Sequence, residues 1–155
     1  MTAGADRRSA ERGPRETRHH AREAALQMLY QWEVGRVSMF EVRQTFWTSE
    51  RDDAEPLTDD LRAFATRLAD GVAERVEELD PMIAAAAEHW RLERMNVMDR
   101  LILRLAVYEF LYEADTPGKV IINEALELAR SFSGDEAVRF INGLLDGIRR
   151  TLGRE

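Results

Sequence analysis

The sequence predicts an all-α protein of about seven helices. Apolar residues recur every three or four positions in one segment after another, which places them on one face of a helix. Several of these segments follow a pattern that starts helices, such as serine three positions before glutamate. No segment of useful length alternates apolar and polar residues, so no strand-turn-strand pattern is present in the sequence.

The N-terminal segment divides into a tail and a first helix. Residues 1–14 lack apolar periodicity, and Pro14 disfavours helix at the residue before it, so we expect a flexible basic tail. The first helix is predicted from Arg15 to Gly35, a residue placed to end it. Its apolar positions are Ala21, Ala24, Ala25, Met28, Leu29 and Trp32.

The next two helices are predicted from their start signals. Ser38 and Glu41 have the spacing of a capping box, ahead of a short second helix. An acidic loop follows, and Thr58 then precedes two aspartates, which are favourable at the positive end of a helix dipole. The apolar positions of this third helix are Leu61, Phe64, Ala65, Leu68, Val72, Val76 and Leu79.

The fourth and fifth helices follow similar signals. Asp80 and Pro81 read as an N-cap with proline at the first helical position, which predicts that the fourth helix begins there. Asn96, three residues before Asp99, predicts the start of a fifth helix. Because residues 101–112 are apolar on nearly every side, we expect this helix to lie in the core.

Two helices complete the chain. The sixth follows the turn sequence DTPGK, and the seventh is predicted to start at a capping box formed by Ser133 and Glu136. Gly143, within the seventh helix, is expected to allow close helix packing. The apolar positions of these two helices are Ile121, Ile122, Ala125, Leu128, Ala129 and Phe132, then Val138, Phe140, Ile141, Leu144, Leu145 and Ile148.

The length and composition fit one folded domain, which we place at residues 15–155. With 155 residues, 45% of them hydrophobic and 33% charged, the chain is long enough to bury a core. It has no cysteine, which excludes a disulfide framework, a thiolate metal site and a cysteine nucleophile. No apolar run approaches the roughly 18 residues of a membrane span. We therefore expect a cytoplasmic protein with no membrane association.

No sequence pattern indicates catalysis or metal binding. His19 and His20 are adjacent, so on a helix they point about 100° apart and are poorly placed to chelate one metal ion. No serine stands in a nucleophile elbow, and no glycine-rich loop follows a strand. Asp99 and Glu109 lie nearly three helical turns apart, about 15 Å, which is too far for a shared acid–base site. We therefore expect no enzyme activity, no metal and no cofactor.

Charge is distributed unevenly along the chain. The net charge is −7, and residues 50–80 account for it, with eleven acidic residues and four arginines. Arg15, Arg18 and Arg22 are spaced by three and four, so they form a stripe on one helix face with His19 beside them. We expect these arginines on the surface. Because cations are unfavourable at a helix N-terminus and arginine suits phosphate, the stripe indicates RNA or another polyanion; a simply solvated helix start is the alternative.

Three segments together are similar to those of the NusB transcription antitermination proteins. They are AREAALQMLYQWE near the start, DRLILRLAVYEFLYEADTPGKVIINEALELARSF in the middle and RFINGLLDGI near the end. The resemblance covers residues 15–150, and its most specific parts are residues 117–132 and 140–146. It implies a fold of two packed helical subdomains.

The resemblance also implies a function. NusB proteins bind the boxA element of RNA together with ribosomal protein NusE, and they help RNA polymerase to read through terminators in ribosomal RNA operons. The expected partners are therefore boxA RNA, NusE and the RNA polymerase antitermination complex. Both monomers and homodimers occur among similar proteins, so either state is compatible with the sequence. The acidic middle of the chain would limit indiscriminate binding to nucleic acid.

Functional positions of the family match residues of this sequence. Those of the RNA-binding surface are Arg15, Arg18, His19, His20, Arg22, Tyr30, Asp135, Glu136, Arg139 and Phe140. Tyr30 and Asp99 match positions that contact NusE. His19 and His20 stand where arginines are common, and neutral imidazoles contribute stacking more than charge.

Some of these residues have structural interpretations too. Phe140 has the spacing of a core residue, and Tyr30 can bury its ring while it presents its hydroxyl. Ser133 and Ala137 replace a common glycine and a common serine of the family. The contacts made by the loop before the last helix therefore differ from the family pattern.

Two other functions are compatible with the sequence. A similar helical domain accompanies the catalytic domain of RNA cytosine methyltransferases, so an RNA-binding accessory domain without antitermination activity is one alternative. A helical protein-interaction module with an incidental basic tail is the other. The salt dependence of binding distinguishes an RNA-binding protein from a protein-interaction module. Binding through several phosphates weakens steeply as salt rises, and binding through an apolar protein interface does not.

Overall fold

The computed structural model describes residues 14–48, 57–88 and 91–155, with the backbone alone at residues 14–16. Over these residues the chain forms seven α-helices and no strand, so the all-α prediction is confirmed. The predicted flexible tail lies outside the described residues except for Pro14, which begins the first helix. The helices are α1 (Pro14–Gly35), α2 (Met39–Phe46), α3 (Asp59–Glu74), α4 (Val76–Ala86), α5 (Val97–Tyr112), α6 (Gly118–Phe132) and α7 (Asp135–Leu152), and a short 3-10 helix spans Leu92–Arg94.

The chain divides into two compact units. The N-terminal unit ends at Ala69 and the C-terminal unit begins at Asp70, so the boundary lies within α3. The N-terminal unit contains α1, α2 and most of α3, and the C-terminal unit contains α4 to α7. Both units contribute buried apolar residues.

The N-terminal unit is built on α1. The fully buried residues of α1 are Ala21, Ala24, Ala25, Leu26, Met28 and Leu29. Trp32, predicted on the same stripe, is half-buried. α2 packs against α1, and its Val42 and Phe46 are buried. Trp47 follows α2 and donates from Nε1 to Oγ1 of Thr66 at 3.4 Å, which ties the end of α2 to α3.

Three predicted start signals are confirmed by hydrogen bonds. Ser38 Oγ and Thr58 Oγ1 each accept from the backbone N–H three residues further on, at 3.2 and 3.3 Å. Asn96 Oδ1 accepts from the backbone N–H two residues further on, at 2.8 Å. These side chains bind N–H groups that have no partner within a helix, so α2, α3 and α5 begin where the sequence predicts.

The predicted start of the fourth helix is wrong. α4 begins at Val76, separated from α3 by Arg75 alone, and Pro81 lies inside it. Leu79 and Ile83, on either side of the proline, are fully buried. The apolar face therefore continues through Pro81, and its burial offsets the backbone hydrogen bond that proline lacks.

The fifth helix is buried as predicted, and it carries a charge into the core. Residues 101–110 of α5 are all buried, and α4, α6 and α7 pack against this helix. Arg104 lies in this run, and its Nε and Nη2 donate to the two carboxylate oxygens of Asp80, each at 2.8 Å. Asp80, expected to cap α4, instead compensates a buried cation, and losing one partner of such a pair costs about 3–5 kcal/mol.

The capping box predicted from Ser133 and Glu136 is also wrong. Ser133 closes α6, and its hydroxyl donates to Oδ1 of Asp99. α7 begins instead at Asp135, after Gly134, whose φ of 137° is a conformation that glycine adopts at little cost. The contact with Asp99 orients the Ser133 side chain, and Gly134 occupies the N-cap position of α7 instead.

Gly71 is the position where α3 passes close to α5. A Cβ atom at Gly71 would overlap the ring of Tyr108. By contrast, a Cβ atom at Gly143 or Gly147 in α7 would meet nothing within 4 Å. The close packing predicted at Gly143 is therefore wrong, and Gly71 is the glycine that the packing requires.

Gly71→Ala is expected to lower the free energy of unfolding by about 1–3 kcal/mol, because the core has no room for the added methyl group. Gly147→Ala is the matched control, since it adds the same group to an open helix face, where alanine is favoured by up to about 1 kcal/mol. Urea unfolding followed by circular dichroism measures both variants. Equal effects would contradict the close approach at Gly71.

Candidate nucleic-acid interface

Arg18 is exposed on α1 and lies over an aromatic ring. Its guanidinium carbon is 5.4 Å from the ring centroid of Phe64 in α3. A guanidinium that stacks on a ring uses its face, so its in-plane N–H donors stay directed towards other ligands. Arg18 thus combines exposure with a favourable ring contact. The backbone of Arg15 lies in α1, but its side chain is outside the described part of the chain.

Arg22 is buried, so the expectation that it lies on the surface is wrong. Its exposed fraction is 2%, and its guanidinium carbon is also 5.4 Å from the Phe64 centroid. Arg22 lies one helical turn from Arg18, and Leu26, a further turn along, is fully buried. The arginine stripe therefore runs from solvent into the core. The RNA-binding role of Arg22 stays a prediction.

The two histidines of α1 are both half-buried. Nε2 of His19 lies 2.9 Å from Oε1 of Glu23, one turn further along the helix. The ring centroids of His19 and His20 are 6.2 Å apart, with planes inclined by 58°. Within the described ranges, no group of three histidine or acidic residues is placed to hold a metal ion. This region offers ring surfaces to a ligand.

Three large apolar side chains are exposed in the described part of the N-terminal unit. Tyr30 and Val34, one turn apart on α1, expose 40% and 50% of their surface. On α2, Phe40 exposes 62%, and the guanidinium carbon of Arg43 lies 5.9 Å from its ring centroid. Exposed rings can stack on bases or contact a protein partner. Tyr30 has the exposure that its predicted roles require, whereas the sequence did not indicate Phe40.

The C-terminal unit brings several predicted residues to one depression of about 260 Å³. It is lined by Arg94, Met95, Asn96, Asp99, Glu136, Ala137 and Phe140. Asp99, predicted to contact a protein partner, thus lies beside Glu136 and Phe140, predicted to contact RNA. The hydroxyl of Ser133 donates to the Asp99 carboxylate, which restrains its orientation.

The charges at this depression are mainly negative. Asp135 and Glu136 are exposed in the first turn of α7, where the helix dipole favours them. The depression itself is lined by two carboxylates, those of Asp99 and Glu136, and by one guanidinium group, that of Arg94. Carboxylates repel phosphates, so this surface is better suited to a cationic region of a protein partner than to a nucleic-acid backbone.

Phe64 and Arg67 are parts of the site that the sequence did not assign. The spacing of Phe64 places it on the apolar face of α3, without indicating which side chains cover it. The guanidinium carbon of Arg67 lies 5.2 Å from the Phe64 centroid. Because Phe64 and Arg67 are three residues apart, their spacing alone predicts that they are neighbours on one helix face. Only the fold brings Arg18 to the same ring.

The fold and the surface of the N-terminal unit together indicate a class of protein. An all-helical fold whose first helix presents arginine and tyrosine side chains is suited to binding nucleic acid. Over the described ranges, no helix has both the length and the apolar character needed to cross a membrane. The model of the NusB family matches residues 19–150. The chain belongs to the NusB family.

Individual relatives extend this assignment over most of the chain. The transcription antitermination protein NusB of Koribacter versatilis is 48% identical over 139 residues, which cover 90% of this chain and 92% of that protein. The structure of NusB from T. maritima is 32% identical and superposes with a TM-score of 0.76, covering 86% of this chain and 90% of the other. A crystal structure of antitermination factors NusB and NusE in complex with dsRNA contains a chain of the same fold, 23% identical, with a TM-score of 0.76 over 88% of this chain and 98% of that one.

Arg22→Ala is expected to lower the free energy of unfolding by about 2 kcal/mol or more, because it removes a buried side chain that lies against Phe64. Arg18→Ala removes an exposed side chain from the same ring and is expected to change the free energy by less than about 0.5 kcal/mol. Urea unfolding of the two variants provides the comparison. The assigned burial of Arg22 is wrong if both variants are as stable as the parent protein.

Proposed function

We propose that this chain is a transcription antitermination factor that binds boxA RNA together with ribosomal protein NusE. The observation that carries the proposal is the exposed Arg18 held over Phe64 on the first helix of a NusB-family fold. The names of the relatives support the activity, and the solved complex of NusB, NusE and dsRNA supports the choice of partners. The proposal assigns no catalytic residue, metal or cofactor, and it places the protein in the cytoplasm with the RNA polymerase antitermination complex.

The RNA-binding step follows from the chemistry of the N-terminal unit. Arg15 and Arg18 bind phosphates of the RNA backbone, and such contacts supply affinity with little sequence preference. Tyr30 and His20 offer rings on which bases of single-stranded RNA stack. Arg22 supports this surface from below, since it is buried against the same ring as Arg18.

The protein-binding step uses the depression in the C-terminal unit. Asp99 meets a basic group of NusE there, and the hydroxyl of Ser133 holds its carboxylate in place. Phe140, which lines the same depression, and Arg139, which is exposed on α7, make the RNA contacts predicted for this region. Asp135 and Glu136 are adjacent carboxylates, so their RNA contacts involve base or ribose donors, since phosphates are repelled.

The first test is a fluorescence-anisotropy titration against boxA RNA and a scrambled RNA, with and without NusE, at several salt concentrations. We expect tighter binding to boxA RNA, a gain in affinity with NusE, and a steep loss of affinity as salt rises. Equal, weak binding to both RNAs in all conditions would contradict the proposal. Binding that responds to salt but not to NusE would favour an accessory RNA-binding domain instead.

Arg18→Ala is expected to weaken binding to boxA and scrambled RNA by the same factor, because it removes a phosphate contact. The plot of log affinity against log salt concentration becomes shallower by about 0.7. Arg130→Ala is the control, since Arg130 is exposed on α6 and pairs with Glu127. If the two variants bind RNA alike, Arg18 is not an RNA ligand.

Asp99→Lys is expected to reduce NusE affinity at least tenfold while RNA binding in the absence of NusE changes little, because the substitution places a cation where a basic group docks. Calorimetric titration with NusE and anisotropy with RNA alone separate the two effects. Glu127→Lys, an equal charge change on an exposed residue of α6, is the control. Unchanged NusE affinity would remove Asp99 from the interface.

A further inference from the structure

Three guanidinium groups surround the ring of Phe64. The guanidinium carbons of Arg18 and Arg22 on α1 are each 5.4 Å from its centroid, and that of Arg67 on α3 is 5.2 Å away. No two of these carbons are therefore further apart than about twice that distance. Two helices thus concentrate three positive charges in one small region of the N-terminal unit.

The ring attracts these cations but adds no charge of its own. A phenyl face attracts each guanidinium by about 0.5–1 kcal/mol at an exposed site. An anion within reach of two of these groups interacts favourably with both charges, more strongly near a protein surface than in bulk water. The arrangement is therefore suited to an anionic ligand.

The three arginines differ in what they can reach. Arg22 is 2% exposed and lies under the surface, whereas Arg18 and Arg67 are exposed. The two exposed groups come from different helices, and the guanidinium carbon of each lies within 5.4 Å of the Phe64 centroid. Each guanidinium carries N–H donors in a planar fork that matches the oxygens of a phosphate group.

We propose that Arg67 is a phosphate ligand for RNA, and that it acts with Arg18 to hold the RNA backbone over Phe64. The inference rests on the proposed RNA-binding function and extends it to α3. The ligand is a phosphodiester group, and the contact is independent of base sequence. The RNA-binding surface of the N-terminal unit then includes residues of both α1 and α3.

Arg67→Gln tests this proposal in anisotropy titrations of the full chain with boxA RNA and with scrambled RNA at several salt concentrations. We expect both affinities to fall by the same factor of three or more. The plot of log affinity against log salt concentration is expected to become shallower by about 0.7, the value for one phosphate contact with single-stranded RNA. Arg67→Lys is expected to keep the slope and recover part of the affinity, since it retains the charge but loses the fork.

The matched control is Arg43→Gln. Arg43 belongs to the same unit and lies over a different ring, Phe40, at 5.9 Å, so the variant has the same change in net charge and loses the same kind of ring contact. If Arg67→Gln and Arg43→Gln give equal affinities and equal salt slopes, the role of Arg67 is refuted while RNA binding by the parent protein still stands.

A loss of stability is distinguished from a loss of binding by a second variant. Arg67→Met keeps an unbranched apolar stem against Phe64 but removes the charge. If it melts at the temperature of the parent protein and binds RNA as weakly as Arg67→Gln, the phosphate contact is supported. If it binds RNA as the parent does, the ring contact is structural and the proposal is wrong. Failure of the parent protein to bind RNA at all would overturn the proposed function itself.

Discussion

The burial of α5 on every side constrains the whole C-terminal unit. Ten consecutive residues, 101–110, need neighbours on all faces, and α4, α6 and α7 supply them. Because the run contains a cation, α4 has to place Asp80 beside Arg104, and two hydrogen bonds join the pair. Such a contact requires a particular orientation of both side chains, whereas apolar packing tolerates several. The same enclosure brings the first turn of α7 beside that of α5. The depression that contains Asp99 and Phe140 is a consequence of this packing.

In the N-terminal unit, one helix serves both the core and the surface. The alanine-rich face of α1 is buried, while Arg18 and Tyr30 of the same helix are exposed. Phe64 contacts both the core side and the surface side of α1. The guanidinium carbons of the buried Arg22 and the exposed Arg18 are each 5.4 Å from the centroid of its ring. The N-terminal unit has guanidinium groups near Phe64, whereas the depression of the C-terminal unit is lined by Asp99, Glu136 and Arg94. Guanidinium groups attract phosphates, and carboxylates attract basic groups.

The sequence by itself determined the features that act over short distances. The spacing of apolar residues gave seven helices, and Ser38, Thr58 and Asn96 start their helices because a cap bonds an N–H group within one turn. The segments shared with NusB proteins also gave the family. Of the candidate site, the sequence predicted that Arg18 and Tyr30 lie on α1 and that Asp99 lies in the first turn of α5.

Only the tertiary structure decided which residues contact partners that are distant in sequence. Asp80 has a partner 24 residues away in Arg104, and Ser133 has one 34 residues away in Asp99. Neither residue caps a helix, because α4 already begins at Val76 and α7 begins after Gly134. Arg22 has the spacing of a surface arginine, but α3 places Phe64 against it. A local pattern specifies which face of a helix a residue occupies, and what covers that face depends on other helices whose positions are set by packing throughout the fold.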